Sequence, residues 1–192
     1  MKESDKAISG EERSTLESLD KIIRSPRVRT KIEPIIERVR ADLLRKSNAL
    51  MTWEPVPADV FGAGLPPSLR SAWVFVLRAG ADTGAERHPN SHQRMMTFGG
   101  TGDMQIDLKR ARNDVKSESD INWQSNILVS DPEAALEARW ISIPPNVWHR
   151  PVIAKAADWL VISFHTVPAA ELIEERPGAK QMRYLGGEPE SH

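Results

Sequence analysis

Apolar residues recur at helical spacing through the first quarter of the chain and at shorter, punctuated intervals after it. Leu16, Leu19, Ile22 and Ile23 make one stripe behind Ser14-Thr15-Leu16-Glu17, whose spacing is that of a capping box, so a short amphipathic helix is expected to begin there. Ser25-Pro26 has the chemistry of a second helix start. Ile32, Ile35, Ile36, Val39, Leu43 and Leu44 continue the helical period, with Pro34 expected to kink that helix or to open a fresh first turn. An isolated helix of this kind is stabilised mainly by burying its apolar face. The stripe therefore needs a cover, either the domain that follows or a second subunit in a homodimer.

From Trp53 onward the texture becomes short apolar runs broken by Pro, Gly, Asn and Asp, the pattern of many short strands. The expected strands are Ala72 to Arg78, Glu86 to His88, Arg94 to Phe98, Asp103 to Leu108, Ser125 to Val129, Arg139 to Ile143, His149 to Ile153 and Asp158 to Phe164. A set of this size suits a jelly roll, so the fold class is mainly β with an N-terminal helical extension. Gly99-Gly100-Thr101-Gly102 reads as a hairpin between two strands, and Lys109 to Asp120, charged and without period, reads as an exposed loop. Past Val167 the chain begins helix-like through Ala169, Leu172 and Ile173, then ends in a Gly, Pro and Glu tail. The implied division is residues 1–50 as the helical extension, 51–168 as the barrel and 169–192 as the C-terminal helix and tail.

Composition narrows the function classes. A formal net charge of -1 over 192 residues creates no field to gather nucleic acid or anionic lipid, and the N-terminal helices carry no basic recognition face. No apolar run has the length of a signal peptide or a membrane span, which sets the expectation of a soluble cytoplasmic protein with no membrane partner. Cysteine is absent, which removes disulfides, thiolate nucleophiles and zinc-thiolate sites together.

The candidate chemistry lies in two segments. The first runs from Gly80 through Glu86, His88, His92 and Gln93 to Gly100, and the second is Ile143-Pro144-Pro145-Asn146-Val147-Trp148-His149. Glu86 and His88 are two apart, so in a strand both side chains share a face. Strand alternation places Gln93, Met95 and Thr97 on one face and Arg94 and Met96 on the other, with His92 turned away from Gln93. It also turns Val147 inward and Trp148 outward. In the last strand Trp159, Val161, Ser163 and His165 share one face and Leu160, Ile162 and Phe164 the other, and either is a candidate interior.

The two segments resemble the paired motifs of the cupin family. The first family motif, laid on this chain, runs Gly80, Glu86, His88, Gln93, Gly100, with Glu86 in place of a histidine ligand and Gln93 in place of the glutamate. The second falls on Pro144, Asn146 and His149, with Ala138 at its leading glycine. The resemblance implies a jelly-roll barrel and a metal site of Glu86, His88, Gln93 and His149. Moving the carboxylate from the fourth ligand position to the first keeps the net ligand charge. Two imidazoles, a carboxylate and an amide oxygen suit a divalent transition metal, Fe(II) first and Mn(II), Ni(II) or Zn(II) as alternatives. The same residues have plainer readings: Glu86 as a surface ion pair, Gln93 as a turn residue and His88 as a satisfied interior histidine.

The expected activity is that of a small metal-dependent enzyme acting on a small organic molecule, a dioxygenase-type oxidoreductase, with His149 and Glu86 at the reacting centre. His165 is a candidate acid or base if its face is interior. The competing reading is a barrel that binds or senses a small molecule without turnover. A metal-free epimerase with a tyrosine acid fits poorly, because Tyr184 in the tail is the sole tyrosine.

Overall fold

The computed structural model describes residues 10–107, 109 and 115–179, together with the backbone of 183–184. Two helices lead the chain, α1 at Gly10–Arg24 and α2 at Pro26–Arg45. Helix α1 starts ahead of the expected capping box, so Ser14 and Thr15 lie inside it, and Thr15 Oγ1 donates back to Glu11 O. Glu11 and Glu12 in its first turn and Lys21 and Arg24 in its last complement the helix dipole. Ser25 caps α2, accepting from Val28 N, and α2 runs unbroken through Pro34. At its far end Arg78 satisfies the carbonyls of Leu43 and Lys46, groups that no helix can pair internally.

Among the described residues eleven strands follow: β1 Met51–Pro55, β2 Ser71–Leu77, β3 Gln93–Gly99, β4 Thr101–Asp107, β5 Trp123–Gln124, β6 Ile127–Val129, β7 Trp140–Ile143, β8 His149–Ile153, β9 Trp159–His165, β10 Ile173–Glu174 and β11 Arg183–Tyr184. The first large sheet has the order β1-β2-β9-β3-β7. The second is β5-β4-β6 with β8 also on β4, and β10 pairs β11. Every pairing is antiparallel. Two facing antiparallel sheets with strands exchanged between them form the expected jelly-roll barrel.

Period-two alternation sorts β3 and β9 into two cores. Met96, Leu160, Ile162 and Phe164 face the helices and join Leu16, Leu19, Ile23, Ile32, Ile36 and Leu43 in one buried cluster. Met95, Trp159 and Val161 face the barrel interior with Met104, Ile143 and Val147. The interior face of the last strand is thus the one carrying Ser163 and His165. The helical stripes are covered by the chain's own first sheet, the first of the two covers the periodicity allowed, except at Leu44, which was expected in the stripe but is 80 % exposed because it lies one position past Leu43, off the buried face. Trp148 packs outside with Ala85, Val115 and Ile121, under the Arg87 guanidinium at 4.6 Å.

Four expectations need correction. The glycine-rich Gly99–Gly102 stretch is not a hairpin, since β3 and β4 lie in different sheets. It is the corner between them: Gly100 has φ +76, and a Cβ on Gly102 would stand 2.1 Å from the Trp159 ring. Glu86 to His88 forms isolated bridges and not a strand, because Gly84 at φ +79 breaks the pairing before it and Pro89 follows. The C-terminal helix is a single 3-10 turn, Ala169–Glu171, after which the chain turns back toward the barrel. Within the expected 109–120 loop, Val115 is buried and Glu118–Asp120 forms a capped 3-10 turn. Leu108, residues 110–114 and the Tyr184 side chain lie outside the described residues.

Candidate metal centre

Glu86 and His149 are held side by side by the backbone. Glu86 N donates to His149 O at 2.8 Å and His149 N donates to Glu86 O at 2.8 Å, the reciprocal pair of an antiparallel bridge, which sets both side chains on one face. His88 follows two residues on, and its carbonyl accepts from Asn146 N at 3.1 Å. Asn146 occupies the motif position the family gives to glycine. Its φ of 64 explains the substitution, because asparagine enters the left-handed region more readily than other side-chain-bearing residues. One donor atom from each of Glu86, His88 and His149 lies within 4.8 Å of the other two. His88 and His149 are 3 % and 1 % exposed.

Both imidazoles are oriented by backbone carbonyls. His88 Nδ1 lies 2.9 Å from Ile173 O, and His149 Nδ1 lies 3.0 Å from Val147 O. A carbonyl only accepts, so each Nδ1 carries the proton and each Nε2 keeps its lone pair. His149 Nε2 has no hydrogen-bond partner among the described residues and stands 3.5 Å from Glu86 Oε1. Gln93, which is 6 % exposed, lines the cavity beside Glu86 and His88. Its Nε2 donates to Ser163 Oγ at 3.1 Å, while its buried Oε1 likewise has no partner. Buried acceptors without donors are costly, and a cation beside these two would offset that cost.

The electrostatics agree. Burial works to raise the Glu86 pKa, but contact with His149 and the charge of Arg176 hold it down at about 2. Burial first, then the neighbouring His149, lowers His88 to about 4. At neutral pH the pair offers an ionised carboxylate and a neutral imidazole, the forms that ligate metals. The donor set of Glu86, His88 and His149 fits a divalent transition ion, and Gln93 lines the cavity with Glu86 and His88.

His165 lines the same cavity at the end of β9, its ring edge-on to His88 at a centroid distance of 5.1 Å. Both its nitrogens meet hydroxyls, Nε2 with Ser163 Oγ at 2.9 Å and Nδ1 with Ser91 Oγ at 3.3 Å. Burial and the nearby histidines push its pKa well below the ordinary value. That environment keeps the ring neutral and its hydrogen bonds committed, which suits holding better than proton transfer. His92 is turned away, as alternation requires, with Nε2 at 2.7 Å from Ser142 Oγ on the helix side.

The C-terminal segment contributes groups that periodicity does not reveal. Ile173 supplies the carbonyl that orients His88, and Arg176 donates to Glu86 Oε2 at 3.0 Å, to Glu174 Oε1 at 2.8 Å and to Thr83 O at 2.8 Å. Glu175 pairs with Arg87, and Asn90 exchanges hydrogen bonds with Glu171 and Ile173. The Leu172-Ile173 apolar pair ahead of Glu174-Glu175-Arg176 was the available sign that this stretch returns to the barrel. Behind it the cavity has an apolar wall that includes Met51, Phe75, Leu77, Met95, Met104 and Trp159, and a polar end of Glu86, His88, Gln93, His165 and Glu174. Its volume of about 40 Å³ holds only water-sized molecules.

No family model and no curated protein matches the chain. Solved structures do. A mutant salicylate 1,2-dioxygenase from Pseudoaminobacter salicylatoxidans in complex with gentisate aligns with a TM-score of 0.52 and 16% identity over 77% of this chain and 36% of its own. The capsular polysaccharide protein CapF with an inhibitor aligns at TM-score 0.47 and 13% identity, over 65% of this chain and 30% of its own. A recombinant oxalate oxidase in complex with glycolate aligns at TM-score 0.44 and 14% identity, over 67% of this chain and 56% of its own. The chain therefore spans about a third of the dioxygenase and of CapF, and about half of the oxidase. At such identities the likeness concerns the fold: the chain is a cupin-type jelly-roll barrel. Among the described residues no helix is long and apolar enough to cross a membrane.

Proposed function

We propose that this chain is a metal-dependent cupin enzyme acting on a small organic molecule, with dioxygenase-type oxidation as its reaction. The observation that carries the reading is the convergence of lone pairs: His149 Nε2 and Gln93 Oε1, both buried without donors, beside an ionised Glu86 and a neutral His88. Two imidazoles and one carboxylate leave adjacent positions open, and an iron ion there would supply Lewis acidity and a place to activate dioxygen. Arg176 and Glu174 offset each other in charge, so the ligand set presents the single negative charge of Glu86. The Met-rich wall takes an apolar body, and exclusion of water strengthens every charge interaction at the polar end. Glu174 of the C-terminal segment and Met51, Met95 and Met104 are part of the cavity lining, so entry of anything larger than water requires lining side chains to move.

The test is metal analysis of untagged protein after reconstitution with Fe(II), Mn(II), Ni(II) and Zn(II) in turn, followed by oxygen uptake with a panel of small organic acids. The expected result is about one equivalent of metal and uptake in the iron form. Less than roughly a tenth of an equivalent of every metal removes the basis of the reading. A small molecule retained unchanged by the metal-loaded protein, with no uptake, favours the binding or sensing role.

A further inference from the structure

Four buried polar side chains form a row behind the candidate metal centre: Gln93, Ser163, His165 and Ser91, joined at 3.1, 2.9 and 3.3 Å. We propose that this row is a hydrogen-bond relay that fixes the direction of the Gln93 amide, so that the carbonyl oxygen and not the NH2 group is presented to the cation, with Ser163 and His165 as positioning residues. The inference rests on the metal reading above.

The argument is one of hydrogen counting. An amide side chain is nearly symmetric in shape, and its direction is set only by which neighbours donate and which accept. Ser163 has one hydroxyl hydrogen. If Gln93 Nε2 donates to Ser163 Oγ, that hydrogen is free for His165 Nε2, which must then be the unprotonated nitrogen. The ring proton consequently sits on Nδ1 and donates to Ser91 Oγ. Ser91 Oγ also accepts from Thr166 N at 3.1 Å, and its own hydrogen reaches His92 O at 3.3 Å. In this direction the Ser91 oxygen accepts twice and donates once.

Reversing the row moves the ring proton to Nε2, makes Ser163 donate to the amide oxygen and turns the NH2 group of Gln93 toward the cavity, where a cation repels it. The tautomer of one histidine and the orientation of one amide are therefore a single variable. A glutamate at this position has an oxygen at either end and needs no such device. Replacing it by glutamine creates the need, and Ser163 and His165 meet it from the opposing strand, where Gln93 pairs directly with His165.

The relay is tested in the zinc form, which is diamagnetic. Nitrogen-15 spectra of histidine-labelled, zinc-loaded protein, with the His165 signals identified by their loss in His165→Gln, should show the Nδ1–H tautomer, and the Nε2–H tautomer overturns the proposal. In parallel, zinc affinity is measured for the parent, Ser163→Ala, Gln93→Glu and the double variant. Ser163→Ala should weaken binding about 10- to 100-fold in the parent background, the range of an outer-shell substitution, and by less than about 3-fold beside Gln93→Glu. Equal loss in both backgrounds marks Ser163 as merely structural, and no loss in either discards the relay while leaving the metal site intact. A parent protein that takes up no zinc, iron, manganese or nickel overturns both the relay and the function it rests on.

Discussion

Arg94 and Gln93 are neighbours in β3, yet they end in two polar clusters built in opposite ways. On the helix side, Arg94 Nε and Nη2 donate to the two oxygens of Glu12 at 2.7 Å each, Ser142 Oγ donates to the same carboxylate at 2.6 Å, and Ser142 in turn contacts His92. Donors meet acceptors, and Nη1 is the one Arg94 nitrogen without a partner. On the barrel side, Glu86, His88 and His149 bring ligand atoms within 4.8 Å of one another, and His149 Nε2 and Gln93 Oε1 are buried acceptors without a donor. The first arrangement meets the Glu12 carboxylate with three donors and fastens α1 to the sheet. The second leaves buried acceptors unmet, a lack that the proposed metal would supply. Burial and charge alone do not separate a clamp from a site; the balance of donors and acceptors does.

That contrast breaks if the inner residues prove dispensable for metal. His149→Ala should lower metal affinity by roughly 1,000-fold, one ligand's share of the binding free energy of a four-ligand site, as read by competition with a chromophoric chelator. Glu12→Ala should do the converse. It leaves the Arg94 guanidinium buried without its carboxylate, which costs about 3 kcal/mol in urea unfolding, with metal affinity within about 3-fold of the parent. A Glu12 variant that loses metal would merge the two clusters into one.

Acidification of the metal-free protein gives the next largest effect. His88 has a folded pKa of about 4 against 6.5, so below pH 6.5 the unfolded chain binds a proton that the folded chain refuses. Stability is complete above 6.5 and declines as pH falls toward 4, by about 2 kcal/mol between pH 7 and 4.5. Glu86, at about 2 against 4.5, extends the decline below that range in the same direction. Denaturation series at several pH values read the slope, and His88→Gln should flatten it between 6.5 and 4. A stability that rises on acidification contradicts the buried neutral imidazole. Smallest of all, Ser142→Ala removes one hydrogen bond to Glu12 and should cost about 1 kcal/mol without touching metal affinity.

Much of this was legible in the chain, and the exceptions have physical causes. Alternation sorted Gln93 and Met95 from Arg94 and Met96, and Val147 from Trp148, because a strand's period is fixed by its backbone, while the motif spacing named which face was the interior. Helical periodicity found both helices but not the start of α1, since Ser14-Thr15-Leu16-Glu17 satisfies a capping pattern while lying within a helix already begun. The Gly99–Gly102 corner imitates a hairpin, as the same glycines that permit a tight turn also permit the Trp159 ring to press on the backbone. The nearness of Glu86, His88 and His149 was readable only through motif spacing. The pairing of Arg176 with Glu86 was not readable, because an ion pair between residues ninety positions apart leaves no period in the sequence.

The bond from His88 to Ile173 has a bearing on biosynthesis. During translation the imidazole of residue 88 is made long before the carbonyl that locks its ring, and the histidine at 149 also precedes that carbonyl. The ring of His88 therefore gains its fixed orientation only once the polypeptide has emerged past its hundred-and-seventies.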